Sequence, residues 1–205
     1  MLKLHEFNPV TTEHTAMSNI NKQAADVSTS MQGHVAIVEM RRPPHNYFDA
    51  ALIAGLADAF EAREVDPSCR AIVLCSQGTA FCAGASLSTQ DSKPGERSPR
   101  EVNPIYHEAL RLFACTKPVM CAMQGAAIGG GLGLALVCDF RVTCVEGRFS
   151  ANFTRLGFHP GFGLSLMLPR LIIILAIWPR LARRCGTWPP GASSGWHFLA
   201  FQRQP

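Results

Sequence analysis

The sequence predicts an α/β layered domain with a largely parallel sheet, and three observations carry the prediction. Short β-rich runs alternate with helix-period segments along most of the chain, the pattern of strand–helix–strand units. Glycine-rich loops follow two of the strand-like runs. The 205 residues are 47% hydrophobic and 17% charged, enough apolar content for one sizeable core and too much for a disordered chain.

Residues 1–32 mix Asn, Thr, Ser, Gln and charge without a period, and they are expected to form a polar, disordered leader. The run HVAIVEM from His34 to Met40 reads as the first strand, ended by Arg41-Arg42-Pro43-Pro44 because proline cannot donate to a ladder. Asp49 is placed to cap a helix running to about Arg63, with Leu52, Ile53, Leu56 and Phe60 on one face. Ala71–Cys75 is a short buried strand, followed by a long loop of small residues. A helix over about Glu101–Cys115, a strand Val119–Met123, a glycine cluster, an apolar helix over about Gly131–Val137 and a strand Phe140–Thr143 complete the pattern. Residues 33–170 are thus the core.

Residues 171–205 break with that pattern. All three Trp lie there, Pro179, Pro189 and Pro190 interrupt any helix, and residues 147–205 carry seven Arg and no acid. The segment reads as an aberrant basic tail, with a shifted reading frame after about Leu171 favoured over a natural basic extension. The formal net charge of +4 arises from this imbalance, since residues 1–146 hold all 15 acids and only 12 of the 19 Lys and Arg. The tail arginines are interleaved with Pro, Trp and aliphatics and form no solvated stripe, which argues against a nucleic-acid partner.

Eight cysteines show no CxxC pair, and several sit inside apolar runs. They read as reduced core thiols in a cytoplasmic protein rather than as disulfides or metal ligands, and no metal is expected. The N-terminal stretch lacks the apolar core of a signal peptide. The longest strongly apolar run, Leu171–Trp178, is eight residues, against about 20 for a membrane span, so no membrane partner is expected.

Two segments have the composition of a ligand site. Gly78-Thr-Ala-Phe-Cys-Ala-Gly84-Ala85-Ser86 follows a buried strand, and its small residues let a ligand approach the backbone N–H groups. Gln124-Gly125-Ala-Ala-Ile-Gly129-Gly130-Gly131-Leu-Gly133 leads from a strand into an apolar helix whose N-terminus offers unpaired donors. It is neither a P-loop, because GK[ST] is absent, nor a GxGxxG fingerprint. Turn geometry and tight helix packing explain each loop singly. Together they supply the parts of a two-donor oxyanion hole.

With the ordered motifs HVAIVEMRRPPHN, FCAGASL, GAAIGGGLGLALVCDFRV, FSANFTRLGFHPGFG and Leu168-Pro169-Arg170, the chain resembles the enoyl-CoA hydratase/isomerase (crotonase) superfamily over residues 34–170. The resemblance implies the family's ββα spiral fold, acyl-CoA thioester substrates, fatty acid metabolism, a homotrimer or dimer of trimers, and no cofactor beyond the CoA of the substrate. By position it implies that the backbone N–H groups of Ala85 and Gly130 polarise the thioester carbonyl. It also implies that Ala83, Ser86, Leu87 and Gly129 line the substrate path.

The sequence departs from the family at the proton-handling positions. Hydratases of the family carry one glutamate third after the middle glycine of the triplet and a second twenty residues later; here these are Gly133 and Phe153. Ser86 stands where many members have aspartate, and the tail stands where the family has its C-terminal helices. His159, in the loop Leu156-Gly-Phe-His-Pro-Gly161, is the residue read as a replacement acid or base. Three readings stay open: a hydratase- or isomerase-like lyase or isomerase, a non-catalytic acyl-CoA-binding module, and an inactive truncated family member.

Overall fold

The computed structural model describes residues 26–86 and 103–171, together with the backbone of 196–200. Eight strands and three principal helices follow in the order β1 (Val27–Gln32), β2 (Val35–Met40), α1 (Ala50–Glu64), β3 (Ala71–Ser76), α2 (Pro104–Ala114), β4 (Val119–Met123), β5 (Ala126–Ile128), α3 (Gly130–Val137), β6 (Phe140–Cys144), β7 (Arg148–Ser150) and β8 (Trp196–Ala200). A 3₁₀ turn over Asn152–Leu156 follows β7, and residues 164–171 are helical.

The main sheet has the order β1-β2-β3-β4-β6-β8. Its centre is parallel, from Val35↔Ala71 through Ile72↔Val119 to Met120↔Phe140, and the two outer strands pair antiparallel. Strict alternation drives this arrangement. Ala36, Val38 and Met40 of β2, Ile72 and Leu74 of β3, and Val119, Cys121 and Met123 of β4 all point into one core. α1 closes that core with Leu52, Ile53, Leu56, Ala57 and Phe60. Its N-terminus is set by Asp49, whose carboxylate accepts from Leu52 N at 2.9 Å. The Asp49 carboxylate also meets the Arg42 guanidinium at 2.9 Å, and Arg42 reaches Asp26 at 2.7 Å.

α1 and α2 are tied at the surface by Arg111, which bonds Asp58, Glu61 and Glu108. Further along the sheet, Arg141 is buried on β6. It donates to the carbonyls of Ala135, Cys138 and Asp139, the ones left open where α3 ends.

Three features differ from the sequence expectations. Residues 27–32, assigned above to a disordered leader, form β1. An edge strand needs only one inward face, and Val27 and Met31 supply it while Thr29, Ser30 and Gln32 stay exposed. β5 and β7 form a separate two-stranded parallel sheet, each too short at three residues to show a period. Trp196–Ala200, inside the segment read as an aberrant tail without periodic pattern, pairs with β6 from Phe140↔Ala200 to Cys144↔Trp196, as its β-prone WHFLA sequence permits. Of the seven described cysteines, Cys69, Cys82, Cys115, Cys121 and Cys138 are buried; Cys185 lies outside the described residues.

Candidate functional site

The loop after β3 is held by side-chain and backbone hydrogen bonds that fix where its N–H groups point. Asn46 is fully buried. Its amide nitrogen donates to Gln77 O at 2.6 Å and Ala80 O at 2.8 Å, and its oxygen accepts from Arg42 N at 2.9 Å. Asn46 has φ 50°, in the left-handed region that asparagine tolerates better than most residues. Beyond it the loop forms two isolated parallel bridges, Cys82↔Ala127 and Phe48↔Ala85. In the second, Phe48 N donates to Gly84 O at 3.0 Å and Ser86 N donates to Phe48 O at 2.7 Å. Ala85 lies between these two bonds, so its own N–H faces away from Phe48 and has no acceptor among the described residues.

The second donor is at the start of α3. Gly129 N donates to Ser150 O at 2.7 Å, and Gly129 adopts φ 55°, ψ −120° to turn the chain from β5 into the helix. Gly130 is then the first helical residue, whose N–H has no intrahelical carbonyl to bond, and it too has no acceptor among the described residues. The two donors are neighbours: a Cβ on Gly84 would sit 4.0 Å from Gly130 N, and one on Gly130 would strike the Phe48 ring at 2.5 Å. Any side chain at either glycine would intrude between the loops.

These groups open onto a cavity of about 540 Å³. Of the residues singled out from sequence, Ala83, Ala85, Ser86, Gly129 and Gly130 all line it, as do Tyr47 and Tyr106. Leu87 lies outside the described residues. The remaining wall is largely aromatic and aliphatic, from Phe48, Ile105, Ile128, Phe153, Leu156, Phe158 and Phe162, with the side chains of Asn103 and Asn152 among them.

His159 is not brought to this wall. It is exposed, and its ring Nδ1 lies 2.9 Å from the carbonyl of the adjacent Pro160, a contact that holds the imidazole against its own loop. No carboxylate and no histidine is found among the described lining residues. The Cys82 thiol is no substitute nucleophile, since burial pushes it up to about 12.

The two departures noted in the sequence differ in structure. Phe153 lines the cavity, but Gly133 does not. A Cβ on Gly133 would lie 2.7 Å from Phe162 Cβ and 2.8 Å from Phe162 O. Phe162 is buried, has φ 54° and packs against Phe48 with ring centroids 5.3 Å apart and the ring planes tilted by 56°. The space beside Gly133 is therefore filled by a folded-in aromatic residue. Sequence reasoning also missed Asn152, a polar lining residue beside Gly129. Its position next to Phe153 in ANF was the only sequence signal.

Comparison with known proteins agrees with this architecture. The model of the Enoyl-CoA hydratase/isomerase family matches residues 30–174. Probable enoyl-CoA hydratase EchA14 of Mycobacterium tuberculosis is 35% identical over 158 residues, covering 77% of this chain and 60% of the relative. The peroxisomal bifunctional enzyme of Cavia porcellus is 33% identical over 138 residues, 67% of this chain and 19% of that one. A solved enoyl-CoA hydratase/isomerase from Pseudoalteromonas atlantica superposes with a TM-score of 0.63 at 31% identity, covering 71% of this chain and 57% of the other. A putative enoyl-CoA hydratase/isomerase (crotonase) from Legionella pneumophila gives 0.62 at 28% identity, with coverages of 78% and 61%. The chain thus spans about three fifths of the length of the M. tuberculosis relative. No helix among the described residues is long and apolar enough to cross a membrane. By the family match over residues 30–174 and the shared crotonase fold, the chain belongs to the enoyl-CoA hydratase/isomerase family.

Proposed function

We propose that this chain binds an acyl-CoA thioester in the 540 Å³ cavity, with the thioester oxygen between the N–H groups of Ala85 and Gly130. The observation that carries the reading is the Phe48↔Ala85 bridge, which leaves the Ala85 N–H without an acceptor among the described residues, beside the N-terminus of α3. Two fixed N–H dipoles at a carbonyl oxygen favour the charge that gathers there when the α carbon loses a proton, and each such donor is worth about 10²–10³ in rate. The donors are fixed by the backbone, so little reorganisation is needed when the enolate forms.

The site handles the oxyanion far better than the proton. Neither Gly133 nor Phe153 can transfer one, and His159 points elsewhere. A positioned acid or base contributes about 10²–10⁴. Hydration of an enoyl thioester by this chain is accordingly expected to be slow, while binding and enolate stabilisation persist. Ala83, Ser86, Leu87 and Gly129 belong to the substrate path in this reading.

The test replaces the peptide N–H by an ester oxygen, using the α-hydroxy acid analogue at position 85 or 130, which removes a donor without adding an atom. Calorimetry with butyryl-CoA, acetoacetyl-CoA and free CoA then separates the contributions. A hydrogen bond to a charged group is worth about 1.5–3 kcal/mol against about 0.5–1.5 for a neutral one. Each ester should weaken acetoacetyl-CoA enolate most, butyryl-CoA less and free CoA not at all. Equal losses for all three ligands would mean that the two glycine-rich loops serve only packing.

A further inference from the structure

Phe162 is buried and lines the cavity, yet its backbone is left-handed at φ 54°. A bulky aromatic residue rarely adopts that conformation, and such outliers persist only where their surroundings hold them, most often at ligand clamps and switch regions. Two contacts hold Phe162. Its ring packs against Phe48 with centroids 5.3 Å apart, and its Cβ and carbonyl oxygen cover Gly133. The backbone adds little, since no N–H of His159, Gly161, Phe162 or Gly163 donates to a backbone carbonyl among the described residues.

Two left-handed glycines bound this segment, Gly157 at φ 75° and Gly163 at φ 71°. A Cβ on Gly157 would meet nothing within 4 Å, so conformation and not space requires glycine there. Glycine moves between left- and right-handed backbone at no steric cost. The chain on either side stays anchored, by Gly157 N to Thr154 O at 3.2 Å before the segment and by Met167 N to Gly163 O at 2.9 Å after it. Residues 158–162 thus form a short loop between two pivots.

Gly133 lies three residues beyond Gly130 on α3, about 4.5 Å further along the helix axis. An acyl chain held by its carbonyl oxygen at Gly130 and running along α3 therefore meets Phe162 after its first few carbons. Burial of the ring against Phe48 favours the inner position of Phe162, and the left-handed backbone at residue 162 opposes it. Opposed terms of this kind leave a minor outer state that a ligand can select.

We propose that Phe162 is a ligand-operated gate. With a short acyl chain or none it closes the inner end of the cavity over Gly133, and a longer chain displaces it outward as the 158–162 loop turns about Gly157 and Gly163. The gate rests on the thioester-binding reading above. It goes beyond that reading by giving the cavity two depths and naming the residue that switches between them.

The experiment places 4-fluorophenylalanine at position 162 of the full chain and records its ¹⁹F spectrum free and with saturating butyryl-CoA or decanoyl-CoA. Decanoyl-CoA should move the resonance toward its position in the urea-unfolded chain, and butyryl-CoA should leave it in place. Calorimetry supplies the second readout. An outer state populated at about 1–10% weakens the apparent affinity of a ligand that needs it by about 10- to 100-fold. Phe162→Ala should therefore tighten decanoyl-CoA by that factor and leave butyryl-CoA within about twofold. A fluorine resonance unmoved by bound decanoyl-CoA, or moved equally by butyryl-CoA, would overturn the gate. So would failure of the unmodified chain to bind decanoyl-CoA while it binds butyryl-CoA, because Phe162 would then be a fixed wall. If Phe162→Ala does not fold, the fluorine measurement still decides. Failure of both acyl-CoA ligands to bind more tightly than free CoA would instead refute the thioester reading itself.

Discussion

Adding one methyl group at Gly133 tests how the site is closed. Gly133 lies inside α3, where alanine is favoured over glycine by about 0.8–1.0 kcal/mol. The added Cβ, however, would meet Phe162 Cβ at 2.7 Å and Phe162 O at 2.8 Å. One of these atoms is backbone, so relief requires the 157–163 loop to move, and overpacking of this kind costs about 1–3 kcal/mol. Gly133→Ala should therefore be destabilising by about 1 kcal/mol, despite its helix propensity; a shift of that size lowers Tm by about 2–4 °C for a chain of this length. Phe162→Gly removes the opposing Cβ and frees the backbone at a φ of 54°. By itself it costs about 3–5 kcal/mol of aromatic burial, less about 1–2 recovered from the left-handed conformation. In that background Gly133→Ala should cost less than in the unmodified chain, because only the contact with the backbone oxygen at position 162 remains. Urea unfolding followed by far-ultraviolet circular dichroism reads both cycles. A Gly133→Ala chain more stable than the unmodified one would refute the packing argument.

The same contact governs attempts to install hydratase chemistry. Gly133→Glu alone should not accelerate hydration of crotonyl-CoA, whereas Gly133→Glu with Phe153→Glu and Phe162→Gly should raise it by about 10²-fold or more; equal rates would show the carboxylates to be dispensable here. Asn46→Ala should destabilise the chain by about 2–4 kcal/mol through lost buried hydrogen bonds and weaken butyryl-CoA binding, because the loop carrying Ala85 is pinned through Asn46; unchanged binding at full folding would contradict that link. Hydrogen bonds from Arg111 hold Glu61 below the usual carboxylate range. Burial pushes Glu108 up, but its bonds to Arg111 and His107 outweigh this and leave it lowered. Both carboxylates therefore add stability above their unfolded pKa values and lose it as pH falls through their lowered folded values, and Arg111→Gln should flatten stability against pH below about pH 4.5. The Cys82 thiol, pushed up to about 12, should resist alkylation at pH 8 until the chain unfolds.

Much of this architecture was legible in the sequence because it depends on short-range patterns. Partial alternation placed β2, a short apolar run placed β3, Asp49 marked the start of α1, and the glycines of the two loops marked where backbone N–H groups meet a cavity. What escaped depends on longer-range packing. β1 is a polar edge strand whose inward face rests on Val27 and Met31 alone. The filling of the Gly133 space depends on a positive φ at Phe162 and on its tilted ring contact with Phe48. The displacement of His159 from the cavity follows from how its loop folds back, and Asn152 became visible only when its neighbours proved to be hydrophobic.

The most direct test is the infrared carbonyl band of butyryl-CoA labelled with ¹³C at the thioester carbon, measured free and bound. Two N–H donors aimed at the oxygen should lower the carbonyl stretching frequency on binding, and the ester analogue at Gly130 should remove about half of that shift. Tight binding with an unshifted carbonyl band would contradict the assignment of Ala85 and Gly130 as the oxyanion donors.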